Sequence, residues 1–279
     1  FDLSPSIPGN TSEAYQNYST NLQLTYKFSD KIRFLTSQRY FYESQNIVNT
    51  QRDWNSNFEV NHLITENLAL DYTFYATRFK TESLFDGSQS LFNQTLFRPE
   101  IRATLNFARS SLNAGIGMNF DALDRTFFDK KETFNSKYLF LQYDFNPIEN
   151  MNAVIGARFD SHNKYKSAFS PKVSTIYTIN DLLKVKASVG FGFKAPDFRQ
   201  LFFNFINNTG GYIVLGTRTL HELYGNEPNV IPLDKDLNPE SSVGYNFGIE
   251  FQPIQNLKLN MNLFRNNIKD LINTASLQK

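Results

Sequence analysis

The chain has 279 residues and carries 28 Lys plus Arg against 27 Asp plus Glu, so no charge excess points to a nucleic-acid partner. Cysteine is absent, which excludes disulfides and thiolate metal sites. Mean hydropathy is −0.42 and no apolar run approaches the ~20 residues of a membrane helix, but a β-barrel wall alternates lipid-facing and lumen-facing residues and averages to polar.

The chain starts at Phe1 with no Met, no charged n-region and no apolar h-region, and it stops at Lys279 inside what reads as a further segment. It is therefore expected to be a piece of a longer protein with both ends cut. From there, period-two alternation recurs along the chain. Tyr18, Leu22, Leu24, Tyr26 and Phe28 alternate with polar residues, and a weaker stretch covers 32–43. Trp54, Phe58 and Val60 follow, then Leu68, Leu70, Tyr72 and Phe74, then Phe97, Ile101, Ala103, Leu105 and Phe107. The series continues through Leu112–Phe120, Leu139–Phe145, Met151–Phe159 and Val173–Tyr177. Leu183–Phe193, Val243–Phe251 and Leu257–Leu263 complete it. The pattern predicts roughly twelve strands and no helix.

The connections fall into two alternating kinds. Tight ones lie at 29–31, 65–67, 108–111, 146–150, 179–181 and 253–256; long ones lie at 44–52, 81–94, 122–136, 162–167 and 197–238. Short turns at one end and long loops at the other are expected of an outer-membrane barrel, with the short turns periplasmic and the long loops extracellular. A sandwich has no reason for that asymmetry, and a propeller would repeat at about 40 residues. Apolar-phase aromatics precede five of the six tight turns: Tyr26 and Phe28, Phe107, Tyr143 and Phe145, Tyr177, and Phe251. These match an interfacial girdle, although Phe and Tyr favour strands in any case. Arg98, Glu100, Arg102, Lys172, Lys186, Glu250 and Lys258 fall on the polar phase, where a wet lumen would keep them hydrated. The fold class is all-β, a transmembrane antiparallel up-and-down β-barrel, with residues 1–279 forming part of one barrel domain.

The segment 197–238 holds Phe198, Arg199, Phe202, Tyr212, Arg218, His221 and Tyr224. Rings that stack and guanidinium groups that pair with carboxylates or phenolates suit capture of a planar or anionic chelate. The alternative is that the phenylalanines fold the loop back on itself and the charges are solvated. Pro196 and Pro239 each bar the preceding residue from the helical region and mark strand boundaries. No Ser-His-Asp set, phosphate loop or His-Glu metal motif is present, so no catalytic residue, metal site or cofactor is expected.

Gly156-Ala-Arg-Phe-Asp160, Phe169-Ser-Pro-Lys-Val173, Gly190-Phe-Gly-Phe-Lys-Ala-Pro196, Leu237-Asn-Pro-Glu240 and Asn266-Asn-Ile-Lys-Asp-Leu-Ile272 occur in that order on alternating strands. This series resembles the late barrel portion of TonB-dependent outer-membrane receptors, and the aromatic and Asn bias resembles that of Bacteroidetes receptors. Gly190, Gly192, Lys194, Ala195 and Pro196, with Asn238, Pro239 and Glu240, are the motif positions. The resemblance implies a barrel of about 22 strands closed by a plug, neither whole here, and a bacterial outer-membrane location. It implies uptake of a scarce chelated nutrient, most plausibly a ferric siderophore, with haem or cobalamin as alternatives in the class. A passive porin-like barrel and a soluble carbohydrate-binding β-sandwich are the alternatives outside it. The implied partners are outer-membrane lipid, a TonB-type energy-transducing complex acting through the missing plug, and a metal chelate, with a surface lipoprotein left open as a further one. His221 lies between the Ala-Pro and Asn-Pro boxes, where haem receptors carry a ligand histidine. However, Lys194 replaces the arginine usual there.

Overall fold

The computed structural model describes residues 15–45, 49–85, 87–225 and 236–275. Twelve strands form one sheet in sequence order: β1 (Tyr15–Lys27), β2 (Ile32–Gln45), β3 (Asn49–Leu63), β4 (Leu68–Phe85), β5 (Ser88–Phe107), β6 (Ser110–Arg125), β7 (Glu132–Ile148), β8 (Met151–His162), β9 (Ala168–Asn180), β10 (Leu183–Lys194), β13 (Glu240–Ile254) and β14 (Leu257–Lys269). Every neighbouring pair is antiparallel, so the sheet is a pure meander. Between β10 and β13 the chain forms α1 (Phe198–Phe202), a small hairpin of β11 (Asn204–Asn207) and β12 (Tyr212–Leu215), and α2 (Thr217–Tyr224). Among the described residues no helix is long and apolar enough to cross a membrane.

The predicted strand count and the tight turns agree with the sheet, but two of the predicted long connections do not. β2 and β3 stay paired up to Gln45↔Asn49, and β4 and β5 up to Phe85↔Ser88. Residues 44–45, 49–52, 81–85 and 88–94 are therefore ladder, not loop. Their backbone groups continue to pair beyond the apolar part of the strand, and the pairs Arg52–Glu82 and Lys80–Glu82 replace apolar contacts there. The helices α1 and α2 also correct the expectation of none. Each is too short for a 3.6-residue period to emerge.

Register places one apolar and one polar face on the sheet. On one face Phe58 pairs with Phe74 and Phe97 with Phe120, the Phe74 and Phe97 rings lying 6.4 Å apart, and Tyr143, Ile155, Val173, Val189 and Tyr245 are linked by direct pairings. All of these but half-buried Val189 are exposed although large and apolar, which suits a lipid-facing wall. Val189 and Phe191 of β10 take this face, and Gly190, Gly192 and Lys194 take the other.

The opposite face carries cross-strand polar pairs. Arg102 donates to Asp71, Arg98 to Asn119, and Lys186 and Lys258 both bridge to Glu250. Tyr138 donates to Glu100 at 2.6 Å while the Arg158 guanidinium, held bidentately by Asp160, lies 3.9 Å over its ring. Gly115 and Gly117 leave room on this face for the rings of Phe140 and Tyr138, which an added Cβ would meet at 2.4 Å.

Candidate functional site

The apolar face ends short of the long-loop end. Leu139 and Phe159, a register pair, are followed outward by the polar pair Lys137↔Ser161. On β6, Phe120 is followed on the same face by Ala122 and Asp124. Arg125, His162 and the connection after β8 therefore stand beyond the lipid-facing band.

There the segment between β10 and β13 folds onto the polar face. Asp197 caps α1 by accepting from the Gln200 N–H, while the Gln200 side chain accepts from the Asp197 N–H. This fixes a short helix with Phe198, Leu201 and Phe202 on its inner side. They pack with Leu123 of β6, Phe128 of the β6–β7 connection and Phe134 of β7. Leu201 is fully buried, and Phe198 stacks on Phe134 at 3.9 Å and 12°. Gly216 begins α2 against the end of α1, where an added Cβ would stand 2.4 Å from the Leu201 carbonyl carbon. No side chain but hydrogen fits that approach.

Cations ring this aromatic core. Arg125 lies 5.0 Å from the Phe203 ring centre, 5.5 Å from Phe127 and 5.7 Å from Phe92, and Arg199 lies 5.7 Å from the same Phe203 ring. Burial, then the neighbouring Arg199 charge, pushes Arg125 below its ordinary value, with Asp197 opposing. Among the described residues, two guanidinium groups thus share one ring without a carboxylate bonded to either, a positive, aromatic-walled feature. On the other side, Lys164 and Arg218 lie 5.3 and 5.7 Å from the Phe202 ring. These two are engaged: Arg218 bonds Asp236 and the Lys164 carbonyl, and Lys164 lies 3.6 Å from buried Glu132. His162 stacks on Tyr165 at 3.6 Å. Burial, then Lys164, pushes the His162 pKa down to about 4; burial, then Asp160, pushes the Tyr165 hydroxyl up to about 12.

The sequence-predicted residues divide accordingly. Phe198 and Phe202 lie in the loop's own core, with Arg218 over Phe202, and Arg199 is exposed beside Phe203. Tyr212 is half exposed on the small hairpin with its ring 6.3 Å from Phe205. His221 and Tyr224 sit on α2, where the His221 carbonyl accepts from the Gly225 N–H at the helix end. Among the motif positions, Lys194 bonds Glu240 at 3.0 Å and ties the two stems of the excursion, and Glu240 also accepts from the Ile272 N–H. Pro196 is buried beside them and Pro239 directly precedes β13, as boundary residues should. Gly190 faces Gly244 across the ladder. Arg125, Phe127, Phe134 and Lys164 were not singled out by sequence; the Phe127-Phe128 doublet beside Arg125 in a polar connection was the available signal. Among the described residues, no group of His, Asp and Glu is arranged to hold a metal ion.

Comparison with known proteins gives a consistent answer. The family model for the TonB-dependent receptor-like β-barrel matches residues 2–279. A probable TonB-dependent siderophore receptor PirA of Acinetobacter baumannii is 32% identical over 137 residues, covering 48% of this chain and 17% of that protein. An iron-regulated outer membrane virulence protein of Vibrio cholerae is 27% identical over 133 residues, 48% of this chain and 18% of that one. The matched segments thus span less than a fifth of these relatives. Among solved structures, the siderophore receptor PirA from Acinetobacter baumannii superposes with a TM-score of 0.69 at 17% identity, covering 93% of this chain and 44% of that one. A variant of the ferric enterobactin receptor PfeA from Pseudomonas aeruginosa gives 0.72 at 13% identity, covering 92% and 43%. At such identities these likenesses establish the fold.

Proposed function

Since this chain belongs to the TonB-dependent receptor β-barrel family, we propose that it forms part of the wall and outer loops of a receptor that takes up a ferric siderophore in an energy-coupled step. Its place is the bacterial outer membrane, and its family is one of transport receptors. In this reading the tight turns face the periplasm and the α1–α2 segment faces the exterior. The plug and its contact with a TonB-type complex lie in parts of the receptor outside this chain, and a surface lipoprotein could cap the loops.

The observation that carries the ligand class is the Arg125–Phe203–Arg199 arrangement. Two guanidinium groups on one ring, neither bonded to a carboxylate among the described residues, attract a delocalised anion with planar faces, which describes a ferric catecholate or carboxylate chelate. The relatives described as siderophore receptors point the same way. A passive porin fits poorly with the family, and a two-layered sandwich fits poorly with a single twelve-stranded meander.

The test uses the full-length receptor in a strain stripped of its own siderophore uptake. Labelled ferric enterobactin, ferric citrate, a ferric hydroxamate, haem and cyanocobalamin serve as probes. Uptake of an anionic ferric chelate is expected, abolished by a protonophore, and reduced at least tenfold in R125Q/R199Q, with membrane insertion intact by heat-modifiable gel mobility. Exclusive uptake of haem or cobalamin would replace the siderophore reading, and protonophore-resistant entry would remove the energy coupling.

A further inference from the structure

A second cluster of cations lies on the outer face of the wall, away from the α1–α2 segment. Arg52 of β3 and Lys80 of β4 are direct register partners, and Trp54 pairs with Arg78 one step nearer the tight turns. All four share the apolar face, because the same register continues through Phe58↔Phe74 and Val60↔Tyr72.

The height of the cluster follows from the strand. Leu68 opens β4 at the tight turn and Arg78 comes ten residues later. At about 3.3 Å per residue and a tilt of about 40°, this corresponds to about 25 Å, the height of a barrel's apolar band. Arg78 therefore sits at the far rim of the band, with Arg52 and Lys80 just beyond it. Aromatics mark the same level. Trp54 is exposed, Tyr40 pairs with it, Tyr42 stacks on Tyr18 at 5.0 Å, and the Arg52 guanidinium lies 5.6 Å over the Tyr42 ring.

The charges at this rim do not cancel. Among the described residues, Glu82 is the single carboxylate bonded to the cluster, shared by Arg52 at 2.9 Å and Lys80 at 2.8 Å. Arg78 donates, among the described residues, only to the neutral Asn93 oxygen, at 3.0 Å. The next acid on this face among the described residues, Asp124, lies two strands from Lys80, through Asn93, which is about 10 Å. Like charges placed directly opposite on a sheet destabilise it. Three cations on one Glu at a membrane rim thus form a surface lacking its counter-charge.

We propose that Arg52, Arg78 and Lys80 dock the phosphate groups of an anionic lipid headgroup in the adjoining leaflet, with Tyr42 and Trp54 seating its apolar neighbours. Arg78 offers a free fork of donors to a phosphate, and Lys80 adds a point charge beside it. This rests on the outer-membrane reading above, but not on which nutrient the receptor carries.

The test takes full-length receptor in dodecyl maltoside micelles and measures binding of diphosphoryl lipid A, the same lipid with its phosphates removed, and inorganic phosphate by native mass spectrometry. The phosphorylated lipid is expected to bind, more weakly at 500 mM than at 50 mM salt. R78Q/K80Q should weaken it about thirtyfold, two interfacial charges being removed, while uptake of the receptor's nutrient stays unchanged. Equal binding of the dephosphorylated lipid, equal binding of inorganic phosphate, or unaltered affinity in R78Q/K80Q would each overturn the proposal. If the double variant fails to insert, the salt dependence and the dephosphorylated lipid decide it on the unaltered receptor.

Discussion

Replacing Phe198 with alanine would remove the ring that stacks at 3.9 Å on Phe134 and is 7% exposed beside fully buried Leu201. In a rigid core such a truncation costs about 3–5 kcal/mol. The α1 segment is a surface excursion that can partly collapse around the gap, so the low end, about 3 kcal/mol, applies. That raises the population of the opened segment by about a hundredfold. Two amides report it: Asn204 donates to the Phe127 carbonyl at 2.8 Å and Gly216 to the Phe203 carbonyl at 2.7 Å, both across the packed segment. Hydrogen exchange of the full-length receptor, read by mass spectrometry over 198–224, should accelerate by that factor in F198A. Peptides from β7 and β8 should keep their protection. If Asn204 and Gly216 exchange unchanged, the aromatic core is not what holds the segment, and the ion pairs of Arg218 and Lys164 become its anchors. Loss of protection in β8 as well would show that the segment and the wall open as one unit.

Other outcomes follow from the same geometry. His162 is held neutral by burial, with a pKa of about 4 against about 6.5 when unfolded. Its contribution is therefore complete above pH 6.5 and is lost as pH falls towards 4, by about 1–2 kcal/mol after allowance for its half-exposed ring. Relative to the intrinsic exchange rate, which itself falls with acid, the protection over 198–224 should drop as pH is lowered from 7.5 to 5, and H162Q should flatten that loss of protection; an identical pH response in H162Q would contradict it. Phe74 faces the apolar side and its neighbour Thr73 the polar one. F74R should then cost about 2–4 kcal/mol in urea titrations of the receptor folded into vesicles, and T73R much less; equal costs would refute the two-faced wall, and a larger cost for T73R would invert the assignment of faces. G216A should loosen the α1–α2 contact as strongly as F198A, because its Cβ meets backbone and not a movable side chain; unchanged exchange at the Asn204 amide in G216A would count against that.

The wall was legible in the sequence because its determinants are local. Period-two alternation assigns each residue to a face, and a tight turn fixes the register of the next strand, so Val189 and Phe191 could be placed on the apolar side without coordinates. Lys194 and Glu240 were found as motif residues, although their bond appears only when β10 and β13 pair. The extents of the β2–β3 and β4–β5 hairpins were not legible, because water-exposed ladder and loop share a polar composition. The loop core was less legible still. Arg125 meets Phe203 and Arg199 across more than seventy residues of chain, and Phe134 meets Phe198 across more than sixty. No spacing rule links such positions. The sequence by itself determined a twelve-stranded, two-faced wall, because alternation and turn length are short-range properties of the backbone. Only the tertiary structure decided which loops close on one another and which charges remain unmatched, because those contacts depend on where a folded wall carries distant segments.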